Sequence, residues 1–567
     1  MRGRRVAGFL GPTALAALLG WLVGYPLLVT LGETLRGPAG WTLAGFAAFA
    51  ERPDEWLALW RSLWISVASV ALAAAVGVPL AFLFERSEFP GRRLLGALVA
   101  LPVVFPPLVG VIAFLFLYDA SGLVPRMIQR LAGLEQPPWR LAGAWAILLV
   151  HTYSMYVYFY LFTRAGLARL DPAHAEAAAS LGAGRLRTLV RVTLPMLRAA
   201  LAGAALLTFM TSLSSFSAPY IFAPSFRVMT TQIYASRVNG DDLASQVETV
   251  ALAVLALVGL WLLTRLGGGL SLRAGAVRGV APARKRIASA GGRAAATAGG
   301  WVFAVILLLP HATLALLSFV PFGTWTTQIL PPVLSLANYR SVAGDPAALA
   351  PVLSSLWMAS AATAGALVLG VLAARSASQL TRRGLGRARR GLRRVLEGLL
   401  ALPWAIPGTA FALALATTFS VSQPWAGRFV LIATPWILPL AYLARSLPLT
   451  GRAAIAGMAQ VDPALEEAAH SLGAGRGRTL RRVVLPLLRP ALAAGASLAF
   501  ITSLGDFVVS IVLYTLDTRP ISMEILRTLR VPDLGRAAVY GVLLATVSAA
   551  AFLLWSEERR GPGKAPR

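Results

Sequence analysis

Cysteine is absent from the 567 residues, which excludes disulfides, zinc–thiolate sites and a thiol nucleophile. Histidine occurs only four times, too rarely for a histidine-rich metal site. The two lysines, Lys285 and Lys564, are followed by Arg286 and Ala565, so no G-K-[ST] exists to cradle a nucleotide phosphate. The run Gly267-Gly268-Gly269 lacks the spacing of a phosphate loop. No HExxH, G-x-S-x-G elbow or nucleophile–base pair stands out, and the expectation is no catalytic residue and no metal ligand. Charged residues are also scarce. They make up 13% of the chain, against about one quarter in soluble domains.

Apolar residues fill the gap, at 57%. A helix crossing lipid needs about 20 of them in sequence. Twelve stretches qualify: near 8–31, 62–84, 95–118, 141–163, 199–222 and 246–265, then 300–322, 352–374, 395–417, 429–447, 490–514 and 537–555. The N-terminal MRGRR and the run behind it read as a first helix, since no small-residue cleavage site follows. With the N-terminus placed inside, 38 of the 52 Lys and Arg fall in inward segments and 14 in outward loops. That bias predicts both termini in the cytoplasm. It also accounts for the net charge of +28 without nucleic acid, because the basic residues lie between apolar spans and not in one domain.

The expected fold is all-α and integral to the membrane, with about 12 transmembrane helices in two homologous six-helix halves. The halves are expected at 1–266 and 299–567, joined by a basic Gly/Ala-rich cytoplasmic linker at 267–298. The basic loop 375–394 reads as a solvated face against anionic headgroups. Prolines 102, 106, 107, 403 and 407 mark stretches where helices kink or end. His151 and His311, in or beside apolar spans, read as packed residues.

An internal repeat ties the halves together. Residues 171–216 and 462–507 align without a gap at an offset of 291 and share 31 of 46 positions. Six spans separate the copies, so both face one side, about a pseudo-twofold axis along the membrane normal. Asp171-Pro172 and Asp462-Pro463 predict helix starts. Gly182 and Gly184, like Gly473 and Gly475, allow a turn with positive φ. A second, arginine-bearing helix then enters the next span. Beyond it Asp506 lies inside a predicted span, where a charge marks a functional candidate. Its repeat partner is Ser215. The two are candidates to line a central path; the alternative is that Asp506 caps a helix break after Gly505.

The duplicated loops, within 164–198 and 445–489, carry a specific pattern. It runs Glu176-Ala177-Ala178, Gly182, Val192, Leu194-Pro195, and again Glu467-Ala468-Ala469, Gly473, Val483, Leu485-Pro486. This resembles the cytoplasmic loop signature of binding-protein-dependent ABC permeases, with Val replacing the commoner Ile. The resemblance implies a type I ABC importer permease-like fold in the bacterial inner membrane, with no enzymatic activity of its own. It assigns to Asp171, Glu176, Ala177, Ala178, Gly182, Leu194, Pro195 and to Asp462, Glu467, Ala468, Ala469, Gly473, Leu485, Pro486 the coupling to ATPase subunits. The partners implied are two copies of an ABC ATPase, which use ATP and magnesium, an extracytoplasmic substrate-binding protein and the lipid bilayer; nucleic acid is not among them. This chain is expected to bind no cofactor. Fusion of both halves resembles ferric-iron and thiamine permeases, and the stretch GDFVVSIVLYTLDTRPISMEI looks nearer the ferric type. Thiamine, phosphonate and polyamine remain alternatives. An ion-coupled secondary transporter is the competing class; scarce intramembrane acids and the duplicated loops argue against it.

Overall fold

The computed structural model describes residues 2–37, 40–266, 284–325, 328–382, 386–422, 426–531 and 533–557. Among them, nine helices are long and apolar enough to cross a membrane, or up to eleven if two bent pairs each count once. The first half contributes Leu10–Thr34, Pro53–Arg86, Pro107–Leu131, Gly143–Leu167, the pair Arg185–Met196 with Arg198–Leu213, and Asp242–Arg265. The second contributes Ala290–Ser318, Pro346–Thr381, the pair Arg387–Ala405 with Gly408–Phe419, Arg476–Leu504 and Leu534–Leu554. One further helix, Ile437–Met458, completes a second set of six. It is less apolar and carries Arg445 and Arg452, a composition compatible with its many contacts to protein. We number these spans one to twelve in chain order.

Several expected spans shift or break. The third becomes a short helix, Arg92–Val99, a single tight turn and the helix from Pro107, because the prolines at 102, 106 and 107 cannot donate to the preceding turn. The ninth bends by 107° at Ile406–Pro407. The tenth, expected over 429–447, begins at Ile437; before it Arg428 and Ala433 take positive φ, which no helix accepts. In the linker region, residues 267–283 lie outside the described residues. Lys285–Arg286 pairs alongside Ser87–Glu88. The seventh-span helix starts at Ala290, where the Ser289 hydroxyl accepts from Gly292 N at 3.1 Å, so residues 290–298 are already helical.

Packing within each half depends on small side chains. Ser62, Ser66, Ser69, Ala73, Gly77 and Ala81 form one buried stripe on the second span. Such residues let helix backbones approach where lipid supplies no hydrophobic drive. A carbon added to Gly77 would sit 2.3 Å from the Tyr156 carbonyl oxygen of the fourth span. In the eighth span Gly370 repeats the arrangement, 3.0 Å from the Thr450 backbone. The opposite faces of the spans expose Val67, Val254, Trp261, Val302 and Val368, a surface suited to acyl chains.

The halves clasp each other through their opening spans. The first span packs on the ninth, with Trp21 edge-on to Phe419 at 6.0 Å. The seventh packs on the third, where His311 stacks on Phe105 at 4.0 Å. Tyr153 of the fourth span donates to the Leu307 carbonyl at 2.6 Å and reaches His311 Nδ1 at 3.0 Å. This reciprocal exchange makes one body of two halves.

Gly77→Ala is expected to cost about 1–3 kcal/mol through overpacking, lowering the melting temperature of the purified protein. Gly110→Ala, whose added carbon meets nothing within 4 Å, should leave it unchanged or raise it.

Candidate functional site

The duplicated loops fold alike. Asp171 Oδ1 accepts from Ala173 N, and Asp462 Oδ1 from Ala464 N, both at 2.9 Å. Each side chain satisfies one of the orphan donors at a helix start. The helices Ala173–Ser180 and Pro463–Ser471 follow, with no buried residue in either. Glu176 and Ala177 are exposed and Ala178 half-buried; Glu467, Ala468 and Ala469 repeat this sequence of exposures. Both helices end in the same double hydrogen bond: Ala183 N to Ala178 O with Gly182 N to Ala179 O, and Ala474 N to Ala469 O with Gly473 N to His470 O. That closure requires a left-handed residue, and Gly182 and Gly473 supply it at φ 79° and 78°. Gly184 and Gly475 instead take extended backbone ahead of the next helix. At each tip a leucine, Leu181 or Leu472, is 89% exposed.

The entry to the next span is also duplicated. Leu194 N donates to Leu189 O and Leu485 N to Leu480 O, each closing a widened π turn. Pro195 and Pro486 follow at once and lack the donor that an α-helix would need there. Beyond this point the halves differ. The fifth span bends by 68° at Leu197, whereas Arg476–Leu504 runs on unbroken.

Both fifth and eleventh spans break at the end of the repeat, at Ser214–Phe216 and Gly505–Phe507. Ser215 Oγ lies 2.9 Å from His151 Nε2, and His151 Nδ1 lies 2.9 Å from Ser69 Oγ and 3.1 Å from Ser212 Oγ. Thr230 donates to the Ser215 carbonyl at 2.8 Å. In the second half Asp506 Oδ1 accepts from Val509 N at 2.7 Å, capping the helix Val508–Leu513. Its Oδ2 stands 3.7 Å from Arg445 Nε. Ser510 and Ser522 donate to the Asp506 carbonyl, and Tyr442, at the offset of 291 from His151, meets Ser510 at 2.6 Å. Asp506 is therefore a helix cap and half of a partly buried ion pair. Arg445, counted from sequence among the basic residues of the loop 445–489, lies within the tenth span, held there by that carboxylate.

Ser215 and Asp506 are each tied into their own half. The residues that meet between the halves are the next in line, Phe216 and Phe507, themselves repeat partners. Their rings are 5.8 Å apart and both are buried. Tyr220 and Tyr234 surround them, and Arg530 of the second half donates to the Tyr220 hydroxyl. A carbon added to Gly505 would meet Pro106 Cβ at 2.3 Å, so the third-span break touches the eleventh-span break. The sequence offered one signal for this contact: the phenylalanine is the last identity of the repeat.

None of these groups forms a nucleophile, a general base or a redox centre. What they build is a buried aromatic contact between two packed halves, together with two loops exposed to the outside. The chain belongs to the family described as binding-protein-dependent transport system inner membrane component, whose profile matches residues 77–271 and 366–556, one copy in each half. It is 31% identical over 515 residues to the probable ABC transporter permease protein y4fN of Sinorhizobium fredii, covering 90% of this chain and 88% of that one. It is 25% identical over 514 residues to the ferric transport system permease protein FbpB of Actinobacillus pleuropneumoniae, covering 88% and 70%. It is 34% identical over 218 residues to the molybdenum transport system permease protein ModB of Mycobacterium bovis, covering 38% of this chain and 80% of that one. The protein is thus a fused, two-half ABC importer permease and a multi-pass inner-membrane protein.

Asp506→Ala removes the cap and strands a half-buried arginine, and should destabilise the protein by about 1–3 kcal/mol. Asp506→Asn keeps a capping oxygen and should lose less. Thermal unfolding of the two purified variants compares them.

Proposed function

We propose that this permease carries ferric iron into the cell, driven by two ATPase subunits that grip the loops at 171–186 and 462–477. The observation that carries the coupling role is the duplicated helix, with no buried residue, closed by a left-handed glycine. A surface loop with no partner has no reason to keep the same cap, closure and exposed leucine in both halves. In this reading both termini and both loops face the cytoplasm, as the arginine distribution favours. A soluble extracytoplasmic protein delivers cargo to the opposite end. ATP and magnesium act in the ATPase subunits, and this chain holds no cofactor. The halves 1–266 and 299–567 rock against each other about the linker, and the path opens where Phe216 meets Phe507, with Ser215 and Asp506 supporting the breaks on either side.

Iron is favoured by the similarity to the ferric permease FbpB along 88% of the chain. A second reading, an oxyanion, draws support from the likeness to the molybdenum permease ModB and from Arg530 beside the constriction. Uptake of radioactive ferric iron and of molybdate into vesicles holding the permease, its ATPase and its binding protein separates the two. Iron uptake that needs ATP is expected; molybdate uptake alone would overturn the cargo assignment.

Glu467→Arg and Gly473→Val are each expected to weaken ATPase binding about tenfold or more, equivalent to ~1.4 kcal/mol, while the chain still inserts. Co-purification of the ATPase measures this. Replacing both Phe216 and Phe507 by Ala should open a leak that persists without ATP. Normal ATPase association in both loop variants would overturn the coupling role.

A further inference from the structure

The short helix Met229–Val238 lies between the fifth and sixth spans, and Ile521–Arg530 occupies the corresponding place in the second half. Each starts on the same tether: Met229 N donates to Ser62 Oγ and Ile521 N to Ser355 Oγ, both at 2.7 Å. The first helix puts Tyr234 against Phe216 and Tyr220, and the second supplies Arg530 to Tyr220. Both helices therefore back the constriction.

They are fastened to their halves by different chemistry. In the second half the fourth residue of the helix is Glu524, buried and ion-paired with Arg519 at 2.9 Å and with Arg527. Behind it Tyr540 donates to the Ala348 carbonyl at 2.7 Å. In the first half the fourth residue is Gln232, and the counterparts of Ala348 and Tyr540 are Glu55 and Glu248, the third residue of the second span and the seventh of the sixth. Glu55 and Glu248 are 3% and 0% exposed. Gln232 donates to Glu55 Oε1 at 3.2 Å, and Ser236 to Glu248 Oε1 at 2.6 Å. The two remaining oxygens, Glu55 Oε2 and Glu248 Oε2, are buried and have no donor, and Gln232 and Ser236, four residues apart on one helix face, hold the two carboxyls side by side.

No cation among the described neighbours answers these two carboxyls. Arg227 donates to Gln232 Oε1 at 3.4 Å. Arg237 pairs with Asp242, Arg52 with Asp241, and Arg61 lies over the Phe226 ring. Asp54 and Glu51 face water, Glu33 of the first span pairs with Arg36, and the packed segment Gly408–Phe419 has no titratable side chain. Two like charges side by side in so dry a place are costly, and a proton held between two carboxyls removes one charge and supplies a donor.

We propose that the carboxyls of Glu55 and Glu248 share one proton, and that this proton fastens Met229–Val238, with Tyr234, against the closed constriction. Loss of the proton leaves two like charges that push the helix away, so raising the pH loosens the first-half side of the constriction. The second half, neutralised by arginines, does not respond. The effect on opening rests on the importer reading above; the proton site itself does not.

The test uses the full-length chain in lipid nanodiscs, first without its ATPase. The melting temperature of the wild type is expected to fall as pH is raised from mildly acidic to alkaline. Glu248→Gln and Glu55→Gln, whose amide stands in for the shared proton, should lose that fall. Infrared spectra should show a protonated-carboxyl C=O band in the wild type that vanishes in Glu248→Gln. The same melting profile in wild type and both variants, no such band, or a dependence on sodium or potassium in place of pH would overturn the proposal. In reconstituted vesicles, ATP-driven uptake by the wild type should rise with pH and that of Glu248→Gln should not. Intact pH-dependent melting with no ATP-driven uptake would sink the importer reading and leave the proton site standing.

Discussion

Every backbone donor and acceptor inside lipid must be satisfied by protein, because no water is present to do it. An interrupted span is therefore possible only where something covers the interruption, and the central architecture of this permease follows from that requirement. The fifth span breaks where Thr230 reaches the Ser215 carbonyl, and the eleventh where Ser510 and Ser522 reach the Asp506 carbonyl. The third span breaks at its prolines, and Pro106 is covered by Gly505 of the other half. Breaks covered by the opposite half have to lie between the halves. Only the third-span break is covered in this way; the breaks of the fifth and eleventh spans are covered from within their own halves, and the rings of Phe216 and Phe507 that follow them meet across the boundary.

Duplication and divergence divide by location. The loops keep the same cap, the same left-handed glycine and the same exposed leucine in both copies, as two equivalent external contacts would demand. Toward the middle of the bundle the chemistry separates. His151 with its three serines stands where Tyr442 stands in the second half, and the uncapped Ser215 stands where Asp506 holds a helix and faces Arg445. Holding that partly buried ion pair carries a desolvation cost, offset in part by the hydrogen bond from Val509 N to the carboxylate. A single chain can hold such unlike halves around one axis, whereas two copies of one half could not.

The span pattern, the two-half organisation and the loops were legible beforehand, since each rests on local chemistry. Apolar length, arginine bias, an Asp-Pro start and a Gly turn need no knowledge of distant residues. Legibility failed where local composition and tertiary environment disagree. Residues 429–436 are apolar enough to be helical but lie ahead of the helix. Arg445 looks like a loop residue, yet Asp506, 61 positions away, makes it tolerable inside a span. Glu248 fell within a predicted span unremarked, because its isolation among apolar residues says nothing about the second carboxyl beside it.

The sequence by itself determined that this chain crosses the membrane many times in two related halves, and that each half displays one shaped loop. Periodicity, hydropathy and capping act over a few residues and are written in order along the chain. Only the tertiary structure decided that the opening spans are exchanged between halves, that Phe216 meets Phe507, and which buried charges find partners. Those outcomes depend on residues hundreds of positions apart coming within a few ångströms, and on whether a dehydrated group finds a donor, a counter-charge or neither.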